Sequence, residues 1–210
     1  KIEAAIKKRE AFDNLVQSAN NGVASAQYEL AERFMNGNGV AENKIEAYRW
    51  YRKAAEQGHA EAQNLVGRYL TEGWGGIAKD EYEAVEWYRK AAEQGLAAAE
   101  YNFAICLYSG VGINVDYRQA FKLYKRAAEH GNIEALYCLG YCYENGKGVF
   151  YKDSINALQC YEAAAKKGHA ASKEAAEKIK SAFISSSDNK SGIGCIFYIV
   201  CFVVLIWMIS

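Results

Sequence analysis

Five glycines at a near-constant interval constrain this chain more than any other feature. Gly58, Gly95, Gly131 and Gly168 close the phrases WYRKAAEQG, WYRKAAEQG, LYKRAAEHG and CYEAAAKKG, at steps of 37, 36 and 37 residues, and Gly22 stands a further 36 upstream. Self-similarity at this period marks a repeat array, in which each unit buries its apolar face only by stacking on its neighbours. Such arrays present long surfaces, so an interaction function ranks ahead of catalysis.

Within each period the apolar spacing predicts two helices. The first carries apolar residues at i, i+4 and i+8: Ala26/Leu30/Phe34, Ala62/Val66/Leu70, Ala99/Phe103/Leu107 and Ala135/Leu139/Tyr143. That spacing is one helical face. The residue after the central apolar one is always small (Ala31, Gly67, Ala104, Gly140), which admits a neighbouring helix at close range. A glycine pair then ends the helix: Gly37/Gly39, Gly73/Gly75, Gly110/Gly112, Gly146/Gly148. Asn43, Asp80, Asp116 and Asp153 are placed to cap a second helix, whose core positions are Ala47/Tyr51/Ala55, Ala84/Tyr88/Ala92, Ala120/Tyr124/Ala128 and Ala157/Tyr161/Ala165. The position before each of these tyrosines holds Trp50, Trp87, Leu123 or Cys160.

This divides the chain into an all-α repeat domain, 1–183, with full units near 22–58, 59–95, 96–131 and 132–168. Partial units at 1–21 and 169–183 flank them, the latter a polar-faced cap. A polar linker, 184–192, leads to an apolar run without charge, 193–209. Seventeen helical residues reach about 26 Å, the short edge of a membrane span. Such a length suits a thin bilayer such as that of the endoplasmic reticulum. A docked helix and a processed signal are the alternatives. Lys178, Lys180 and Lys190 precede the run and nothing basic follows, which favours a single pass with the array in the cytosol. A lumenal or cell-surface protein bearing a C-terminal lipid-anchor signal is the alternative, with Ser185–Ser187 as the small residues such a signal needs.

No catalytic constellation emerges. Basic and acidic residues balance at 25 each, so there is no net basic charge to neutralise phosphates, and a nucleic-acid partner is not expected. The glycine loops leave a helix rather than follow a strand, so they do not form a phosphate cradle and no small-molecule substrate is implied. Cys138 and Cys142 share a helix face, yet no histidine lies near to complete a metal site. Cys138 and Cys142 read as buried small apolar residues, and no metal or cofactor is expected. His59, His130 and His169 sit beside the repeat-ending glycines and read as exposed turn residues. Glu56 and Glu93 recur with the period as solvated positions.

These phrases resemble the Sel-one-like repeat family, relatives of the tetratricopeptide repeats. The family pattern A-x-x-x-L-G-x-x-Y-x-x-G-x-G-V followed by D-x-x-x-A-x-x-W-Y-x-K-A-A-x-Q-G runs through residues 22–168, departing at Ala31, Asn43, Ala104, Leu123 and Cys160. The resemblance implies a right-handed superhelical solenoid of antiparallel helix pairs, and a non-enzymatic adaptor role in which the concave face collects peptides or protein domains. One disulfide-rich branch of the family acts on β-lactams. Its paired cysteines are missing here, so a β-lactam hydrolase is a remote alternative. By analogy with the tetratricopeptide architecture, positions two before and two after the central apolar residue line the groove. They are Tyr28 and Glu32, Asn64 and Arg68, Tyr101 and Ile105, Tyr137 and Tyr141, with Tyr108 one turn further on. The tyrosines serve equally as groove anchors or as packing between helices. Together with the tail, these features describe a membrane-anchored interaction scaffold.

Overall fold

The computed structural model describes residues 2–188. All regular structure among the described residues is helical. The order is α1 (Ile2–Asn20), α2 (Ala24–Asn36), α3 (Lys44–Glu56), α4 (Ala60–Glu72), a 3-10 turn (Trp74–Gly76), α5 (Glu81–Glu93), α6 (Ala97–Ser109), α7 (Tyr117–Glu129), α8 (Ile133–Asn145), α9 (Ser154–Lys166) and α10 (Ala170–Asp188). Each helix packs on the next along the chain, α2 on α3, α4 on α5, α6 on α7 and α8 on α9 within a repeat, and α3 on α4, α5 on α6 and α7 on α8 between repeats. The result is a solenoid with first helices (α2, α4, α6, α8) in one row and second helices (α3, α5, α7, α9) in another. The Asn64–Asn102 hydrogen bond joins α4 to α6 in the first row, and the Arg52–Glu83 ion pair joins α3 to α5 in the second.

Local chemistry sets the helix ends. The side chains of Asn43, Asp80, Asp116 and Asp153 accept backbone N–H bonds from the first turns of α3, α5, α7 and α9. Their own N–H groups donate to Phe34, Leu70, Leu107 and Tyr143, closing each loop onto the helix before it. Gly37, Gly73, Gly110 and Gly146 end the first helices in the left-handed region. The extra residue of the second repeat is absorbed in the 3-10 turn, where Gly75 and Gly76 also have positive φ.

The core follows the periodic residues, and Leu30, Val66, Leu107, Tyr51 and Tyr161 are fully enclosed. A column absent from the sequence reading, Ala54, Ala91, Ala127 and Ala164, is equally buried, one turn after the tyrosine. The small-residue column has a direct cause. A Cβ on Gly67 would stand 2.7 Å from the Tyr88 ring, and one on Gly140 would stand 2.8 Å from the Tyr161 ring. Gly140→Leu is therefore expected to cost about 1–3 kcal/mol by overpacking. Glu93→Ala, on an exposed position, should stay within about 0.5 kcal/mol. Equal denaturant midpoints for the two variants would contradict this packing.

Two expectations change in the structure. Helix α10 runs to Asp188, through the first five residues of the predicted linker. The stretch from Ala170 to Ser191 holds neither glycine nor proline, so nothing in its sequence stops the helix earlier. The histidines are also not idle turn residues. His59 Nδ1 accepts the N–H of Ala62 at the start of α4, and His169 Nδ1 accepts that of Ser172 at the start of α10. Both sit in N-cap geometry, where an imidazole nitrogen does the work of an Asp or Asn oxygen. The apolar run 193–209 lies outside the described residues. Among the described residues, no helix is long and apolar enough to cross a membrane.

Candidate protein-binding face

All nine groove candidates stand on the first helices, but the structure gives them different work. Tyr28 on α2 stacks on His59, ring centroids 4.5 Å apart, and Tyr137 on α8 lies against His169 at 5.1 Å. These two tyrosines therefore cover the capping histidines of the following repeat. Glu32 accepts the hydroxyl of Tyr51. Burial, with this carboxylate acceptor second, raises the Tyr51 hydroxyl well above its ordinary range. Asn64 is buried, and its Oδ1 accepts from Asn102 Nδ2 at 2.8 Å. Arg68 projects outward with its guanidinium 4.6 Å from the Trp74 ring. Tyr101 is half-buried against Tyr124, and burial pushes its hydroxyl up to about 12.

The remaining three gather into one apolar area. Ile105 and Tyr141 occupy equivalent positions on α6 and α8 and are 36% and 42% exposed. Tyr108 on α6 is edge-on to Tyr141 of α8 at 6.3 Å and to Tyr117 of α7 at 5.0 Å. Read across the array, one column runs Glu32, Arg68, Ile105, Tyr141. This column is charged over the first two repeats and apolar over the third and fourth.

Burial also fixes the state of the four cysteines among the described residues. It raises the thiols of Cys106, Cys138 and Cys160 to about 11 and that of Cys142 to about 12, so all four stay protonated and apolar at neutral pH.

The residues that the sequence reading missed form a polar column behind this face. It comprises Gln27, Gln63 and Glu100, each following the first core alanine of its repeat and each buried, while the fourth repeat has Leu136 at this place. Gln27 Nε2 donates to Ala19 O, and Gln63 Nε2 donates to Ala55 O, each at 3.1 Å. Each thus ties a first helix to the last turn of the preceding second helix. Their Oε1 atoms accept from Gln57 and Gln94, the glutamines of the closing AEQG phrases, at 2.7 and 2.8 Å.

The third repeat builds the same joint from charge. Glu100, 0% exposed, has no N–H to offer Ala92 O. Arg126 supplies it instead, with Nη2 at 3.2 Å from Ala92 O and 2.7 Å from Glu100 Oε1. His130, at the place of Gln94, meets Glu100 Oε2 at 2.8 Å. Arg126 is free to turn inward because its helix has Leu123 where α3 and α5 have tryptophan. In the first two repeats Lys53 and Lys90 are held over Trp50 and Trp87, at 3.8 and 4.4 Å. The available signal was the column itself: a glutamate in a series of glutamines, with arginine and histidine at the two places that face it.

Solved structures share this architecture. A Sel1 repeat protein from Oxalobacter formigenes superposes with a TM-score of 0.73 at 38% identity, over 83% of this chain and 71% of that one. A protective antigen present in uropathogenic Escherichia coli strains superposes with a TM-score of 0.72 at 36% identity, over 76% of this chain. The match spans 34% of that antigen's length. No curated protein matches the sequence. The Sel1 repeat profile matches residues 24–59, 60–96, 97–132 and 133–169 without a gap, each span holding one of the helix pairs described above. By these four consecutive units and the solenoid they build, the chain belongs to the Sel1 repeat family.

Proposed function

We propose that this protein is a membrane-tethered scaffold whose third and fourth repeats hold a peptide or domain of a partner protein. Sel1 repeat proteins are generally protein-interaction scaffolds, which supports the general role. The observation that carries the specific one is the exposed apolar area of Ile105 and Tyr141 beside Tyr108, in a column that holds Glu32 and Arg68 over the first two repeats. Aromatic side chains with a polar tip are good anchors for a partner, because they bury much area at low entropic cost. The tether in this reading is the run 193–209, with the array in the cytosol at a membrane such as that of the endoplasmic reticulum.

Two variants of the full chain separate binding from packing. Ile105→Ser with Tyr141→Ser touches exposed positions, so the unfolding midpoint should barely move while partner affinity falls by about 2 kcal/mol or more. Tyr101→Ala with Tyr137→Ala removes rings packed on Tyr124 and Tyr161. It should lower the midpoint as well. A photo-cross-linking residue placed at Tyr141 should capture a partner that the same residue at Glu93 does not. Equal capture at both positions would refute the assignment of the face.

A further inference from the structure

The row of second helices carries a surface that the scaffold reading leaves unused. On α3 and α5 every cation has a local partner. Lys44, Arg49, Arg52 and Arg89 pair with Glu42, Glu46, Glu83 and Glu86, and Lys53 and Lys90 lie over tryptophan rings. In the third and fourth repeats more of the cations are left without a carboxylate. Arg118 and Lys122 on α7, with Lys147 and Lys152 on the loop joining α8 to α9, make no ion pair among the described residues. The carboxylates nearest in sequence are engaged elsewhere: Asp116 accepts the N–H of Gln119, Asp153 accepts from Ile155 and Asn156, and Glu144 accepts the hydroxyl of Tyr161.

Apolar groups stand among these cations. Phe150 is 93% exposed with the Arg118 guanidinium 5.7 Å from its ring, and Tyr151 is 71% exposed. Lys147 Nζ lies 4.4 Å from the Tyr117 ring. Two adjoining depressions open here. One, of about 520 Å³, is lined by Ile113, Val115 and Val149 among others. The other, of about 550 Å³, runs along α7 past Lys122 and Leu123. They share Asp116, Arg118 and Gln119, so they form one open, bent trough with Ile113, Val115 and Val149 toward one end and Arg118, Lys122 and Arg126 toward the other. A flat bilayer surface has nothing to place in such a trough, whereas a chain segment has side chains of the right size.

We infer that this trough binds an acidic protein segment carrying an apolar residue. Its carboxylates meet Arg118, Lys122, Lys147 and Lys152, and its apolar side chain enters the depression lined by Ile113 and Val149. Cations that no carboxylate neutralises keep their attraction for an incoming anion, which speeds encounter and rejects basic partners. The surface is separate from the first-helix face, so a chain that fails one test can pass the other.

The test uses the full chain and a short fluorescein-labelled peptide repeating Glu-Glu-Leu, with a Lys-Lys-Leu counterpart. Anisotropy should show binding of the acidic peptide alone, weakening steeply with salt. Arg118→Glu with Lys122→Glu should reduce affinity at least about tenfold, since attraction becomes repulsion. Phe150→Ser should weaken binding without changing its salt dependence. Acetylation by acetic anhydride, mapped by mass spectrometry, should show Lys122, Lys147 and Lys152 protected by the peptide and Lys53 and Lys90 unaffected. Equal binding of the basic peptide, or unchanged affinity in the charge-reversed chain at native helicity, would overturn the assignment. So would no peptide binding combined with protection of the same lysines by phosphatidylserine vesicles but not by phosphatidylcholine vesicles. That last pattern would give the surface to lipid headgroups.

Discussion

Gly148→Ala is expected to lower the unfolding free energy by about 3 kcal/mol or more, against about 1–2 kcal/mol for Gly39→Ala. Both glycines hold the second place of their pair, with φ of 77° and 83°. Both substitutions therefore incur the same left-handed strain. Only at Gly148 is the space taken. A Cβ there would overlap the carbonyl oxygen of Tyr117 and stand 2.8 Å from Phe121 Cβ, whereas at Gly39 nothing lies within 4 Å. A backbone carbonyl in the first turn of a helix cannot swing aside as a side-chain tip can. The same register recurs at Gly112 over Glu81 and at Gly75 over Lys44. The second glycine is thus where the loop of one repeat rests on the second helix of the repeat before it. Because array stability is a sum of repeat and interface terms, the substitution should also broaden the transition by uncoupling the fourth repeat from the third. Coincident urea curves for the Gly148 and Gly39 variants would refute the contact.

Arg126→Met is expected to cost about 3 kcal/mol, more than loss of an exposed ion pair would. Arg126 is half exposed and water partly screens it, which keeps the figure toward the low end of what breaking a buried pair costs. The variant leaves the enclosed Glu100 with His130 alone, and Ala92 O without the guanidinium donor. Transplanting the second repeat's solution, by Glu100→Gln with Arg126→Lys and His130→Gln, should return stability to within about 1 kcal/mol of the parent, because an amide supplies both donor and acceptor. Thermal melts of the single and triple variants decide it. If the triple variant melts no higher than Arg126→Met, the joint does not work as described.

The solenoid was legible because every helix repeats its core chemistry at the same places. Ala26, Ala62, Ala99 and Ala135 announce one face, and Asn43, Asp80, Asp116 and Asp153 announce the next helix. The polar joint was not legible by residue type. Glu100 follows Ala99 at the start of a helix, where a glutamate normally faces water. Its enclosure arises only when α5 and α7 close over it. His59 and His169 misled for a related reason: beside a glycine they read as turn residues, and their capping geometry appears only with the backbone. The tyrosines stayed ambiguous because one ring can fill a gap and reach the rim together. Neighbouring rings separate them, with Tyr28, Tyr101 and Tyr137 packed while Tyr141 and Tyr108 edge the exposed area.

The polar joint also bears on how such arrays can be recombined. Glu100, Arg126 and His130 all belong to one repeat, and from the preceding repeat they require only the carbonyl of Ala92. Every preceding helix offers a carbonyl there, whatever its side chains. A charged unit and a neutral unit can therefore be shuffled, duplicated or deleted whole without leaving a mismatched partner behind. A crossover inside the unit, between α6 and α7, would strand a buried carboxylate. Breakpoints viable in chimeras of this chain should fall at the turns around Gly58, Gly95 and Gly131, and seldom within a helix pair.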